Sequence, residues 1–361
     1  MLSEKLDPKA KQKFLVLCLP GIGDSLMATP LLRLLKQKFP NSQIDVAVMF
    51  EASHYIFLQN PFVNLIYKLS VYPKITLNAL RTIWNLRKNH YNVSILAFPA
   101  YRREYHIIHW LIGAQKRIAH RFFTGYWSEA NFLETDLILV EEDLHNVENN
   151  LNLLKPLGIQ WHELIQKDDI QYDLKLVPED IEFGKNYIQK LGWQNENIIG
   201  LHPGSTNSPA AMLRRWSIER YAQLARNLIK EKNAKILIFC GPEEKNLGEE
   251  LSQLINDPSN CQLIAGVSFG QALGILNQLK LLICNDNGFG HLAVALHKQI
   301  VTLWASTNDA WSLPFSKDLV RLIRPKAFKS WYTYSLKRAL PRAAESGMDK
   351  ISVEEVKASI S

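Results

Sequence analysis

The sequence predicts an α/β protein built from two doubly wound domains. Three observations carry that prediction. Apolar runs of strand length alternate with amphipathic segments of helix length, the order of a parallel sheet covered on both faces. The alternation restarts after Gly192. The 361 residues also exceed the size at which a single core stops growing.

In the first half, Phe14–Leu19 is a buried-strand run and PGIGD at 20–24 turns into the helix SLMATPLLRLLKQKF. Pro30 lies too deep to be a first-turn proline, so this helix should kink or reset after one turn. Pro40 and Asn41 end it, and Gln43–Met49 supplies the second strand of a βαβ opening with a right-handed crossover. Val63–Tyr67 reads as a short strand, Ile75–Lys88 as a helix, and Val93–Phe98 and Lys116–Ala119 as strands, ahead of an ill-defined region to Val140. His145–Leu157 reads as a helix closed by Gly158, and Asp169–Lys175 as an edge strand. Pro178–Leu191 follows as a helix with proline in its first turn and Gly192 at its C-cap.

In the second half, strands are expected at Asn197–Leu201, Lys235–Cys240 and Cys261–Ile264, and helices at Ser217–Lys230, Glu243–Ile255 and Phe269–Leu279. The stretch LLICNDNGFGHLAVALHKQIVTLWASTNDAW at 281–311 then reads as strand, polar turn, a helix opened by His291, and strand. The boundary falls near 176–196, giving domains at 1–180 and 181–325. The tail, 326–361, is expected to place helices at Lys326–Leu340 and Ser352–Ile360 and to pack back on the first domain. Two such domains should face each other across a cleft, with function where 20–25, 202–216, 241–245 and 284–291 converge.

Composition narrows the function classes. With 47% hydrophobic and 21% charged residues the chain is an ordinary globular one, its apolar runs are strand-sized, and MLSEKLDPKAKQKF lacks the apolar core of a signal peptide. A cytoplasmic chain is expected. Cys18, Cys240, Cys261 and Cys284 form no close pair and read as buried thiols, so no metal site is expected. The net charge of +7 is unevenly spread: residues 81–121 hold eight Lys/Arg against one acid, interleaved with aromatics and histidines, and residues 317–342 repeat that ratio. Such a field suits an anionic substrate or membrane surface, or a solvated face. No nucleic-acid module accompanies it, so no nucleic-acid partner is expected.

Four segments carry candidate chemistry. In PGIGD, Gly21 and Gly23 permit close backbone approach to a ligand, and Asp24 is either a helix N-cap or a carboxylate able to take a proton from a hydroxyl. The motif lacks the third glycine of a dinucleotide fingerprint, so no NAD cofactor is expected. HPGSTNSPAAMLRRW at 202–216 offers Ser205, Thr206, Arg214 and Arg215, the hydroxyls and guanidinium groups that suit a diphosphate, ahead of Ser217 as a cap. Glu243 or Glu244 follows the next strand, as a ribose or base acceptor or simply as a first-turn acid. In NDNGFGH at 285–291, Asp286 and Gly288 form the turn, and His291 is either packed or within reach of a phosphate oxygen.

Together, GIGDSLMATP at 21–30, HPGSTNSPAAMLRRW at 202–216 and NDNGFGH at 285–291 resemble the signatures of the lipopolysaccharide heptosyltransferases of glycosyltransferase family 9, over roughly residues 14–325. The resemblance implies a GT-B arrangement of two facing Rossmann-like domains, the first for the acceptor and the second for a nucleotide sugar such as ADP-heptose. It implies inverting, metal-independent transfer to a phosphorylated lipopolysaccharide-core acceptor, with no cofactor. The enzyme would be peripheral on the cytoplasmic face of the inner membrane. Asp24 matches the family's base. Ser205, Thr206, Arg214, Arg215, Glu244, Asp286, Asn287, Gly288 and His291 fall in donor-binding motifs, while Gly23, Arg102 and Arg103 are placed on the acceptor side. Arg214 replaces a usual Lys, Asn287 a usual Ser or Thr, and Trp304-Ala305-Ser306-Thr307 a Phe-Gly-Pro-Thr-like end. Alternatives are another sugar or a protein acceptor on the same fold, or a sugar-nucleotide-binding protein without turnover.

Overall fold

The computed structural model describes residues 6–71, 76–122, 127–205, 209–326, 328–330 and 346–360. The chain divides after Lys175 into two compact units.

Unit 1 runs β1 (Lys13–Cys18), α1 (Ile22–Met27), α2 (Thr29–Lys38), β2 (Gln43–Val48), α3 (Glu51–Leu58), β3 (Ile66–Lys68) and α4 (Leu77–Lys88). It continues with β4 (Val93–Leu96), α5 (Arg103–Ile112), β5 (Lys116–Arg121), β6 (Asp136–Leu139) and α6 (Asn146–Asn152). Its six strands form one parallel sheet in the order β3-β2-β1-β4-β5-β6. β1 is buried over Phe14–Cys18, as a strand covered on both faces must be. The expected reset of the first helix is present: α1 stops at Met27, and Pro30 sits in the first turn of α2, where its missing N–H costs nothing.

Unit 2 runs α7 (Pro178–Lys190), β7 (Asn197–His202), α8 (Pro209–Met212), α9 (Ile218–Lys232), β8 (Ala234–Phe239), α10 (Lys245–Ile255), β9 (Cys261–Ile264) and α11 (Phe269–Leu276). Then come β10 (Leu281–Asn285), α12 (Gly288–Ala295), β11 (Gln299–Leu303), α13 (Asp309–Ser312), β12 (Val320–Ile323) and α14 (Val353–Ala358). The sheet order is β12-β11-β10-β7-β8-β9, again all parallel. Each sheet therefore reverses its strand order once, between β1 and β4 in unit 1 and between β7 and β10 in unit 2. Ligands bind outside the carboxyl ends of strands at such a reversal.

Two expectations are corrected. Residues 169–175 are not an edge strand, since β6 occupies that edge of the sheet. The segment is held by α2 instead: Arg33 reaches Asp173 at 2.8 Å and the Gln171 carbonyl at 2.8 Å, and Thr29 Oγ1 accepts the Asp173 N–H. The helix after β10 begins at Gly288, three residues before His291, because the Asn287 side chain accepts the N–H groups of Phe289 and Gly290. The described end of the tail packs within unit 2. Ile351, Val353, Val356 and Ile360 join the core of α9, and Trp216 Nε1 donates to the Ile351 carbonyl at 2.9 Å. The helix expected over 326–340 lies mostly outside the described residues.

Helices α7 and α11 cross backbone to backbone at two glycines. A Cβ on Gly274 would lie 1.8 Å from the Asp180 carbonyl oxygen, and one on Gly184 would lie 2.0 Å from the Gly274 carbonyl oxygen. Gly274→Ala should therefore destabilise the protein by about 1–3 kcal/mol, the usual cost of forcing extra atoms into a packed contact. The check is the denaturant midpoint; an unchanged midpoint would mean that the helices can part without loss.

Candidate active site

In unit 2 the reversal point is laced by two asparagine side chains. Asn285, buried at the end of β10, donates from Nδ2 to the Pro203 carbonyl at 2.6 Å. Its Oδ1 accepts the Trp216 N–H at 3.2 Å and the Tyr221 hydroxyl at 3.1 Å. One amide thus ties both ends of the 203–216 loop to the neighbouring strand. Asn287 adds a second tie, from Nδ2 to the Gly204 carbonyl at 2.9 Å and to His202 Nδ1 at 3.0 Å, while its Oδ1 caps α12. A capping oxygen is what a Ser or Thr would supply there; the extra donor is what asparagine adds. His202 stacks on Phe289 with ring centroids 4.6 Å apart, and burial pushes its imidazole down to about 4, so its Nδ1 accepts as a neutral ring.

The charged groups divide into brace and site. Ser205 is buried, donates to the Ala211 carbonyl at 2.7 Å, and accepts from Arg215 Nε at 3.1 Å. Arg215 Nη2 also reaches the Ser205 carbonyl at 2.6 Å. Ser205 and Arg215 therefore hold the loop's shape. Thr206 lies outside the described residues. Arg214 pairs with Asp286 at 3.1 Å and keeps part of its side chain exposed. Of the two acids after β8, Glu244 is the one turned inward: it accepts the Gly241 N–H at 3.3 Å and lies 3.7 Å from Arg215. Burial pushes its carboxyl up, against the pull of the Gly241 and Ser205 amides and Arg215. Its carboxylate occupies the space a side chain on Gly204 would need, 2.2 Å from such a Cβ, so a larger residue there would displace Glu244 from this position. His291 is buried and held down to about 4 by burial, against Asp286 and a hydrogen bond to the backbone of Ser312; it is a neutral ring rather than a cation. Gly288 is the first residue of α12, whose positive end points at the same corner. Among the described residues no group of three or more His, Cys, Asp or Glu is placed to hold a metal ion.

In unit 1, Asp24 is the third residue of α1, not its cap. Gly21 is the cap, and Asp24 Oδ2 accepts the Gly21 N–H at 3.2 Å, which turns the half-buried carboxylate back over the loop leaving β1. Gly23 lies on the same turn, partly exposed. The other lip of the reversal point is the 97–102 loop after β4, which leads through Arg102 at the α5 cap into Arg103. Asn150, buried on α6, spans both lips: Oδ1 accepts the Phe98 N–H at 2.9 Å and Nδ2 donates to the Met27 carbonyl at 3.3 Å. A second anchor is His106, whose Nε2 lies 2.9 Å from the Ala100 carbonyl oxygen. Its Nδ1 is 2.6 Å from Glu134, and His109 Nδ1 pairs with the same carboxylate at 2.8 Å, all three side chains fully buried. Ser94 Oγ closes the chain 2.5 Å from His109 Nε2.

Neither Asn150 nor the Glu134 pair was legible as a site residue. The one signal was composition: α6, NVENNLN, is wholly buried yet has four asparagines beside Val147 and Leu151, the mark of a helix whose polar groups are used inside.

Comparison with known proteins matches residues 107–329, more than half of the chain, to the model of glycosyltransferase family 9 (heptosyltransferase). The chain belongs to this family. It is 26% identical to the lipooligosaccharide heptosyltransferase 2 of Haemophilus ducreyi, across 86% of this chain and 89% of that protein. It shares its fold with Escherichia coli ADP-heptose lps heptosyltransferase II, with a TM-score of 0.76, 21% identity, and 96% and 97% of the two chains covered. The E. coli heptosyltransferase WaaC with ADP-2-deoxy-2-fluoro heptose gives a TM-score of 0.67 at 16% identity, covering 97% and 99%. The family model reaches from α5 to just past β12, so it spans the corner built by 202–216, Glu244 and 285–291.

Burial alone would push Glu134 up, but the charges and hydrogen bonds of His109 and His106 hold it down to about 2. Because the folded value lies below the ordinary one near 4.5, the stability it contributes is complete above that pH and is lost as pH falls towards about 2. Glu134→Gln should cost roughly 3–5 kcal/mol at neutral pH, as breaking a buried pair does, and should flatten the loss of stability over that acid window. Urea titrations at a series of pH values measure both; parallel curves for the two proteins would remove Glu134 from the account.

Proposed function

We propose that this chain transfers a heptose from ADP-heptose to a hydroxyl of a lipopolysaccharide core acceptor, with inversion at the anomeric carbon. The observation that carries the reading is the corner at the end of β7 and β10. It gathers a partly exposed guanidinium, the positive end of α12 and an inward carboxylate, the set a nucleoside diphosphate needs. Relatives over most of the chain are heptosyltransferases, and the solved structure of the same fold from E. coli WaaC is one with ADP-2-deoxy-2-fluoro heptose.

In this reading Asp24 takes the proton of the acceptor hydroxyl, that oxygen attacks the anomeric carbon, and the bond to the diphosphate breaks with its electrons leaving on ADP. The charge growing on the leaving group is met by Arg214 and by the start of α12. Phe289 and Gly290 already give their N–H groups to Asn287, so the guanidinium carries the larger share. Asp286 orients Arg214, as a carboxylate fixes a guanidinium fork. Glu244, pinned by two backbone amides, offers an oxygen to the nucleoside, and His291, whose one N–H is engaged with the backbone of Ser312, helps hold the turn at the start of α12. Ser205 and Arg215 act through the loop they hold. Gly23, Arg102 and Arg103 serve the phosphorylated acceptor, and since that acceptor is a membrane lipid the enzyme works at the cytoplasmic face of the inner membrane.

The test is release of nucleoside diphosphate from a panel of nucleotide sugars, with and without a lipid A–core acceptor. ADP-heptose should turn over only when the acceptor is present, and chelation of divalent ions should leave the rate unchanged. Asp24→Asn should lower kcat by roughly 10²–10⁴ with ADP affinity unaltered, the range for loss of a general base. Near-normal turnover in that variant would reject Asp24 as base. Arg214→Ala should lower kcat by about 10²–10³, the range for a lost preorganised donor; an unaltered rate would move the leaving-group contact elsewhere.

A further inference from the structure

The basic and aromatic stretch 81–121 does not form one face. Tyr91, Tyr105, His106, His109 and His120 are all buried. What remains outside gathers on α4. Leu77 is 77% exposed, Leu80 49% and Trp84 60%, and their spacing at i, i+3 and i+7 aligns them along one side of the helix. The opposite side, Ala79, Ile83 and Leu86, faces the core, so the outer stripe is not left over from packing.

Cations share that stripe. Arg81 and Lys88 lie on it by the same periodicity, with Lys88 Nζ 5.7 Å from the centre of the Trp84 ring. Arg87 on its flank donates to the Leu111 carbonyl at 2.8 Å, fastening α4 to the last turn of α5, where Trp110 is 48% exposed. The helix contains no Asp or Glu. Contiguous exposed apolar side chains mark an interaction surface. A second copy of the stripe would bring like charges together, whereas an anionic lipid surface satisfies both parts at once. Aliphatic and indole groups enter the acyl boundary, and long cationic side chains reach back to the phosphates.

We propose that α4 docks this protein on anionic phospholipid, lying in the membrane plane with Leu77, Leu80 and Trp84 inserted and Arg81 and Lys88 on the headgroups. The proposal deepens the reading above, which puts the acceptor in a membrane, but its support is the stripe itself. The experiment is co-sedimentation of the full chain with phosphatidylcholine vesicles, with and without phosphatidylglycerol. Turnover of a water-soluble, deacylated acceptor is measured in parallel. Binding should require phosphatidylglycerol and weaken with salt. It should fall by at least about tenfold in Leu77→Ser/Leu80→Ser/Trp84→Ser, and likewise in Arg81→Glu/Lys88→Glu, with soluble-acceptor turnover unchanged in both. Three outcomes would overturn it: no vesicle binding by the unaltered protein, equal binding to both vesicle types, or variants that bind as well as the parent. A dimer that dissociates on Trp84→Ser would assign the stripe to self-association and overturn it too. Loss of turnover on the soluble acceptor in the parent protein would count against the transferase reading alone.

Discussion

The structure of unit 2 depends on one buried amide. Where a doubly wound sheet reverses its order, the loops leaving the two central strands run in opposite directions, and nothing in the sheet's own hydrogen bonds joins them. Asn285 supplies the join: a single side chain on β10 reaches both Pro203 and Trp216, the two ends of the loop that follows β7. Asn150 plays the corresponding part in unit 1, between Met27 and Phe98. Each amide is buried with donor and acceptor both used, so truncation would strand backbone groups at about 1–3 kcal/mol apiece.

From that brace the division of labour among the charged residues follows. Arg215 and Ser205 bond to each other, and Ser205 also to Ala211, which fixes the loop that presents Arg214. Arg214 keeps one ion pair and part of its surface, the state of a group held in place for something else. Glu244 is set by Gly204 in the literal sense that its carboxylate fills the volume a larger residue would take. The histidines at this corner are buried and neutral, so the positive charge offered to a ligand comes from arginine and from the helix end.

Much of this was readable from sequence because it rests on strong local signals. Pro30 announced the break between α1 and α2, Ser217 the cap of α9, and the restart after Gly192 the second sheet. The failures have physical causes. The start of α12 was hidden because Gly288 and Gly290 read as loop, while the asparagine before them supplies the cap. Helix α5 was unread because two histidines serving a buried carboxylate interrupt its inward stripe of Tyr105, Ile108 and Ile112. Residues 169–175 imitate a strand by alternation, yet their backbone is satisfied by side chains of α2. The basic stretch 81–121 was read as one surface from composition, and only the fold sorts which of its aromatics face inward. Asn150 and Glu134 act through partners far away in sequence, and no local pattern encodes those distances.

The central claim is that the amide-braced corner of unit 2 receives a nucleoside diphosphate. Hydrogen–deuterium exchange of the whole chain with and without ADP tests it most directly. The account predicts slowed exchange at 204–205 and 286–291 in the presence of ADP. Unchanged exchange at those amides under saturating ADP would contradict it.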